Sequence, residues 1–212
     1  MFLYHFDRSG NLRPNMPINL IKLDDLPEDL RASKSLSTLE GGISVHGLNH
    51  LNLRCASYPF ARDITGKILF EETSVSKQIS VVNMRILEFN LELVRRAYFQ
   101  EYPSRFQSLF AVRDIEEFTA WPELHSAEGQ RCNRIFQIDV PDEVHRFDSK
   151  WLRGGLSFGT ADLNYHIGYA PSLCFDLAFK YWSKTPSDNP RWEYLLPLPI
   201  DGARVHLAAT VP

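Results

Sequence analysis

The chain has 212 residues, 44% of them hydrophobic and 23% charged, which suits one packed core and excludes a disordered, collagen-like or coiled-coil chain. Its formal net charge of −3 provides no global attraction to nucleic acid or to an anionic membrane. No apolar run nears the roughly 20 residues of a membrane span. The first residues lack the basic and long apolar regions of a secretion signal. Cys55, Cys132 and Cys174 form no CxxC pair, so free thiols in a reducing cytoplasm are expected rather than a disulfide or a zinc ribbon.

In chain order, residues 1–6 are an apolar and aromatic run that stops at the turn Asp7-Arg8-Ser9-Gly10, which predicts a strand. Pro14, Pro17 and Pro27 break the next stretch, and Pro27 opens one helical turn. Residues 31–80 have no sustained period and read as loops and short elements, an insertion or a lid. A helix is predicted over 83–102, with Leu87, Leu91, Val94 and Tyr98 on one face and Ile86, Phe89, Leu93 and Ala97 widening it. Glu92 and Arg96 are spaced for an ion pair on that helix. After Pro103 the period changes to two. Phe106, Ser108, Phe110 and Val112 then share one face of a strand, and Gln107, Leu109 and Ala111 the other. Asp114 to Glu117 resembles a capping box that starts a short helix. Further strands are predicted at 134–140, at Trp192 to Leu196 and near 204–209, with a helix over 171–183. The fold class is α+β in a single domain over 1–212.

No phosphate loop, dinucleotide-binding glycine motif, zinc-protease helix, nucleophile elbow or calcium loop is written in the chain. His46 and His50 have helical spacing, but Gly47 and Asn49 weaken that helix and no third ligand is evident, so no metal is assigned. Four features carry chemistry. His5 follows Tyr4 at the end of the first strand. Ser104, Arg105 and Ser108 lie between the best helix and a strand, where a serine and an arginine can hold a phosphate or a sugar hydroxyl. Tyr181 and Trp182 end a helix with two aromatics, a pattern of core packing as much as of ligand stacking. Glu193 sits in an apolar strand between Trp192 and Tyr194, where desolvation demands a partner or a function.

In this order the segments resemble the ADP-ribosyltransferase superfamily, and within it a bacterial and phage branch. The likeness rests on Tyr4-His5 followed by Gly10 and Leu12, and on Pro103-Ser104-Arg105-Phe106 followed by Ser108 and Phe110. It continues through Asp148, Trp151 and Leu152 to Tyr181-Trp182 and to Trp192-Glu193-Tyr194-Leu195. It spans roughly residues 3–20 and 85–205.

The resemblance implies a split, mixed β-sandwich with flanking helices, whose central cleft holds NAD as a substrate. It implies His5 as hydrogen-bond partner of the adenine-side ribose, with Tyr4 and Arg8 beside it. Ser104, Arg105 and Ser108 would then meet a phosphate or the nicotinamide ribose, and Phe110 and Tyr181 would wall the nicotinamide. Glu193 would be the catalytic carboxylate beside the nicotinamide-ribose 2′-hydroxyl, and no metal is required. Arginine-modifying members carry an acid two positions before that glutamate. Arg191 stands there in this chain, which disfavours an arginine acceptor.

The implied activity is transfer of ADP-ribose to a nucleic acid, or next to a protein, with release of nicotinamide. Arg95, Arg96, Arg105, Arg131 and Arg134 are candidates for a basic groove. A cytoplasmic toxin, effector or phage-defence enzyme fits, with an antitoxin or chaperone as partner and no membrane. The alternatives are an RNA 2′-phosphotransferase, which Glu193 argues against, an NAD glycohydrolase, and a non-catalytic binding protein that kept the fold.

Overall fold

Segments of period two become strands, and they assemble into two three-stranded sheets. The computed structural model describes residues 1–7, 10–26, 28–31, 38–51, 61–62, 68–69, 86–120, 134–152 and 171–210. The first sheet has the order β1 (Phe2–Asp7), β5 (Arg134–Asp139), β8 (Val205–Thr210). The second has the order β4 (Ser108–Ala111), β7 (Trp192–Pro197), β6 (His145–Asp148). A two-stranded ribbon of β2 (Ala61–Arg62) and β3 (Ile68–Leu69) lies in the expected insertion. The two larger sheets meet at one bridge, where Tyr4 N donates to Val112 O at 2.9 Å and Val112 N to Tyr4 O at 2.8 Å. Every strand pairing among the described residues is antiparallel, where a mixed sheet was expected. β7 runs against both of its neighbours, β4 and β6.

The alternation along β7 separates two cores. Tyr194 and Leu196 join Leu3, Phe136, Ile138 and Val205 in an apolar core shared by both sheets. Leu195 turns the other way, towards Phe147 of β6 and two helices. These are α3, described over 86–98, and α4 (Pro171–Trp182), which starts at a proline as helix geometry favours. Glu193 shares the parity of Leu195, so it enters this helix-facing layer.

The helix α3 buries the expected stripe as far as Val94, but the stripe widens through two acids rather than through Ile86, Phe89 and Leu93. Leu87, Leu91 and Val94 are buried, together with Glu88 and Glu92. Ile86, Phe89, Leu93 and Tyr98 are exposed. The two acids belong inside because cations and a hydroxyl meet them there. The predicted strand at Phe106 begins later, at Ser108, because Ser104 caps a 3-10 turn over Arg105–Gln107. Phe106 N donates to Ser104 Oγ at 3.1 Å. β6 was not expected, since its four residues are too few to show a period.

Two short helices precede α3. They are α1 (Glu28–Arg31) and α2 (Val45–Leu51). α2 forms despite Gly47, and Gly47 is what lets it dock. A Cβ at that position would lie 2.6 Å from Phe106 O and 2.8 Å from Ile43 Cγ1. Ser44 starts α2, with Gly47 N donating to Ser44 Oγ at 3.0 Å and Ser44 N donating to Phe106 O at 2.8 Å.

Several motif residues hold this frame. Asp7 accepts from Gly10 N at 3.0 Å and Leu12 N at 3.2 Å, so it closes the turn after β1. Asp148 accepts from Lys150 N at 3.0 Å, Arg191 N at 3.0 Å and Ser187 N at 2.7 Å. Trp151 Nε1 donates to Thr185 O at 2.6 Å. Among the described residues no helix is long and apolar enough to cross a membrane.

Candidate functional site

Four elements of distant sequence bring charged groups into the layer between the second sheet and the helices. Glu88 comes from α3, Arg105 from the capped turn, Tyr181 from α4 and Glu193 from β7. Arg105 Nε and Nη2 donate to the two Glu88 oxygens, each at 2.8 Å, in a side-on pair. Arg105 Nη1 donates to Tyr181 Oη at 2.6 Å and also to Glu193 Oε1. Tyr181 Oη donates to the same Glu193 oxygen at 2.6 Å. The guanidinium lies over the Phe110 ring, 4.5 Å from its centroid. Arg105 and Glu193 are each 3% exposed, Glu88 1% and Tyr181 0%.

Desolvation acts on all these groups, and ion pairing decides the outcome. Burial alone would raise the Glu88 carboxyl, but Arg105 and His46 outweigh it and hold it far below the usual carboxylate range. Burial alone would lower Arg105, but Glu193 and Glu88 keep it firmly charged. Burial and then the nearby Glu193 push the Tyr181 phenol well up despite Arg105, so it stays a neutral donor. Two carboxylates thus share one guanidinium, which leaves one formal negative charge in excess.

A second cluster sits one helical turn along α3. Glu92 accepts from Arg95 at 3.0 and 2.9 Å, from Arg96 Nε at 2.7 Å and from Ser104 Oγ at 2.9 Å. The predicted Glu92–Arg96 pair is present. Burial would raise Glu92, but Arg95, Arg96 and Ser104 bring it down. Ser108 Oγ donates to Ser104 O at 2.7 Å, so both serines of the motif serve the turn itself.

The half-buried edge of the first cluster carries three histidines and two aromatics. His5 Nδ1 donates to Phe110 O at 2.7 Å, and burial pushes its imidazole down. Tyr4, Phe110, His46 and His50 are half-buried. The His46 ring packs 4.4 Å from Phe110 and 4.3 Å from His50. His46 Nε2 lies 3.5 Å from Glu88 Oε1, and it has no hydrogen-bond partner. His50 Nδ1 donates to His46 O at 3.0 Å. Burial and then His46 push the His50 imidazole down.

The sequence expectations divide in this geometry. His5, Phe110, Arg105, Tyr181 and Glu193 form one continuous chain of contacts. Ser104 and Ser108 flank it inside the protein. Tyr181 is fully buried, with its ring stacked 4.9 Å from Phe147, so it braces Glu193 rather than forming an open wall. Trp182 is core, and its Nε1 donates to Leu91 O at 2.8 Å. Arg8 and Arg131 lie outside the described residues.

The other arginines of the expected groove do not converge on one surface. Arg95 and Arg96 close on Glu92, Arg105 on Glu88 and Glu193, and Arg134 on Asp7 at 3.3 Å. Arg191 donates to Ser149 Oγ at 2.9 Å. Sequence reasoning missed Glu88 and the closure of His46 and His50 upon it. The available signal was Glu88 and Glu92 at i,i+4, flanking the buried Leu87 and Leu91. The statement that no third group stands near the histidines is corrected: Glu88 does.

Residues 3–205 match the model of a family described as "Protein of unknown function (DUF2441)". The chain belongs to that family. No curated protein matches it. The DUF2441 span contains both acid clusters and the histidine edge, so the site is assembled within the part of the chain that defines the family.

Proposed function

We propose that this DUF2441 chain is an NAD-dependent ADP-ribosyltransferase with Glu193 as its catalytic carboxylate. The observation that carries the reading is the excess negative charge of the Glu88–Arg105–Glu193 cluster in a desolvated layer, behind the edge of Tyr4, His5 and Phe110. In the transfer, the bond between ribose C1′ and the nicotinamide nitrogen breaks. Nicotinamide leaves neutral with the bonding pair, and the acceptor forms the new bond to C1′ and gives up its proton. Positive charge develops on the sugar, and a fixed negative charge in a low-dielectric setting stabilises it more than the ground state.

The strand arrangement supports the same reading. β1, β4 and β7 carry or adjoin the three motif positions and are consecutive neighbours across the Tyr4–Val112 bridge and the β4–β7 ladder. Half-buried Tyr4, His5 and Phe110 are assigned to NAD contact. Arg105 and Tyr181 fix the carboxylate from behind, Ser104 and Ser108 hold the turn that presents Arg105, and Arg8 is assigned to the cofactor by resemblance. The Arg191 cation, held on Ser149, favours a non-arginine acceptor, with nucleic acid ahead of protein. A cytoplasmic toxin, effector or defence role, with an antitoxin or chaperone partner, goes with this reading.

One observation favours a second reading. Glu193 is 3% exposed and its Oε1 is bonded twice, as expected of a binding protein in which the cluster merely ties sheet to helices. Incubating the pure protein with labelled NAD and separate protein, RNA and DNA pools decides between the readings. Label in one pool that Glu193→Gln abolishes supports the enzyme. Absence of turnover in every pool, and of nicotinamide release, supports the binding protein.

A further inference from the structure

The structure assigns a binding site for one zinc-class divalent ion to His46, His50 and Glu88. One ligand atom from each lies within 4.8 Å of the others. A tetrahedral ion with ligands at about 2.1 Å spaces them about 3.4 Å apart. His46 Nε2 and Glu88 Oε1 are already 3.5 Å apart. That ring nitrogen is buried without a hydrogen bond, a costly state for a polar atom unless something binds it.

The surrounding contacts are those a metal ligand set needs. The histidines stand four residues apart on α2, so one helical face presents both rings. His50 donates its Nδ1–H to the His46 carbonyl at 3.0 Å, which fixes the tautomer and leaves Nε2 as the ligand atom. Arg105 holds both Glu88 oxygens at 2.8 Å and orients the carboxylate, while each oxygen keeps a further lone pair. Imidazole nitrogens select zinc and its neighbours over magnesium or calcium. Three protein ligands leave a fourth position for water. The ion also pins α2 to α3.

This assignment does not rest on the transferase reading, and its test contains no NAD. The full chain, stripped with a chelator, is titrated with zinc chloride by calorimetry and with cobalt(II) by visible absorption. Expected is one ion per chain, with the intense visible band of tetrahedral cobalt. His50→Ala and His46→Ala each weaken binding by at least about 10-fold and remove the band. His206→Ala, an exposed histidine on β8, leaves both unchanged. Zinc also raises the melting temperature of the wild-type chain and not of His50→Ala, a readout on folded protein alone. Absence of saturable zinc binding, or wild-type affinity retained in either α2 variant, overturns the site.

Discussion

Glu88 and Glu92 sit one turn apart on the same helix, yet they build opposite clusters. Around Glu92 two guanidinium groups and a serine meet one acid, so the positive side is in excess, and Arg96 reaches the surface at 30% exposure. Around Glu88 one guanidinium meets two acids, and the side chains are 3% exposed or less. The first arrangement satisfies its only acid several times over, which is what a clamp on a helix–turn junction needs. The second sets two acids on one guanidinium, and it faces histidines rather than solvent. Charge balance, more than burial, separates the structural cluster from the candidate site.

The sharpest way to break this comparison is to remove the shared cation. Arg105→Met leaves Glu88 and Glu193 buried without their guanidinium, and a loss of about 3–5 kcal/mol is expected in a denaturant titration. A loss under about 1 kcal/mol would mean that the second carboxylate is already compensated. The next test targets chemistry. Under the proposed function, Glu193→Gln keeps the side-chain shape and is expected to lower ADP-ribosyl transfer about 100-fold or more, with the melting temperature changed far less than in Arg105→Met. Glu92→Gln should do the reverse. Stability falls by about 1–3 kcal/mol because Arg95 and Ser104 lose a charged acceptor, while transfer per folded molecule is retained.

A pH series sharpens the contrast further. Both acids have folded values below the ordinary 4.5, so their stabilisation is fully present above that value and is lost as pH falls below it. Glu88 is the more strongly depressed, so Glu88→Gln should flatten the acid limb of the stability curve more than Glu92→Gln does. His50 is also lowered, which means the folded state favours its neutral form. Stability from that source is complete above the ordinary value of about 6.5 and declines as pH drops through it. His50→Gln removes this segment of the curve. The smallest effect belongs to Arg96→Ala, below about 1 kcal/mol, because the pair it breaks is partly solvated and Arg95 still holds Glu92.

What the sequence made legible follows from the range of each signal. β1, β5 and β7 have six residues each and show their period, and α3 shows its helical repeat. β6 has four residues and shows none. The stripe Leu87, Leu91 and Val94 was legible, but its flank was misplaced because apolar Ile86, Phe89 and Leu93 were weighed above Glu88 and Glu92. Partners 12 and 17 residues away in sequence, Ser104 and Arg105, reversed that choice. Glu193 stood out because a carboxylate in an apolar strand needs an answer, and the answer came from the turn at Arg105 and from α4. His46 and His50 were discounted for the glycine between them, since local helix propensity cannot register that the same glycine permits close docking.

Gly47 therefore acts as a spacer gauge for the whole assembly. The backbone of α2 rests on the Phe106 carbonyl with no room for a methyl group, and the next residue back from Phe106 is Arg105. A single added carbon at position 47 pushes the histidine face outward and the arginine turn inward together. Helix propensity would reward Gly47→Ala, yet contact geometry penalises it, because the two partners cannot both keep their places. The distance between the histidines and the acid pair is set by the bare thickness of a polypeptide backbone, a dimension that no side-chain substitution elsewhere can restore.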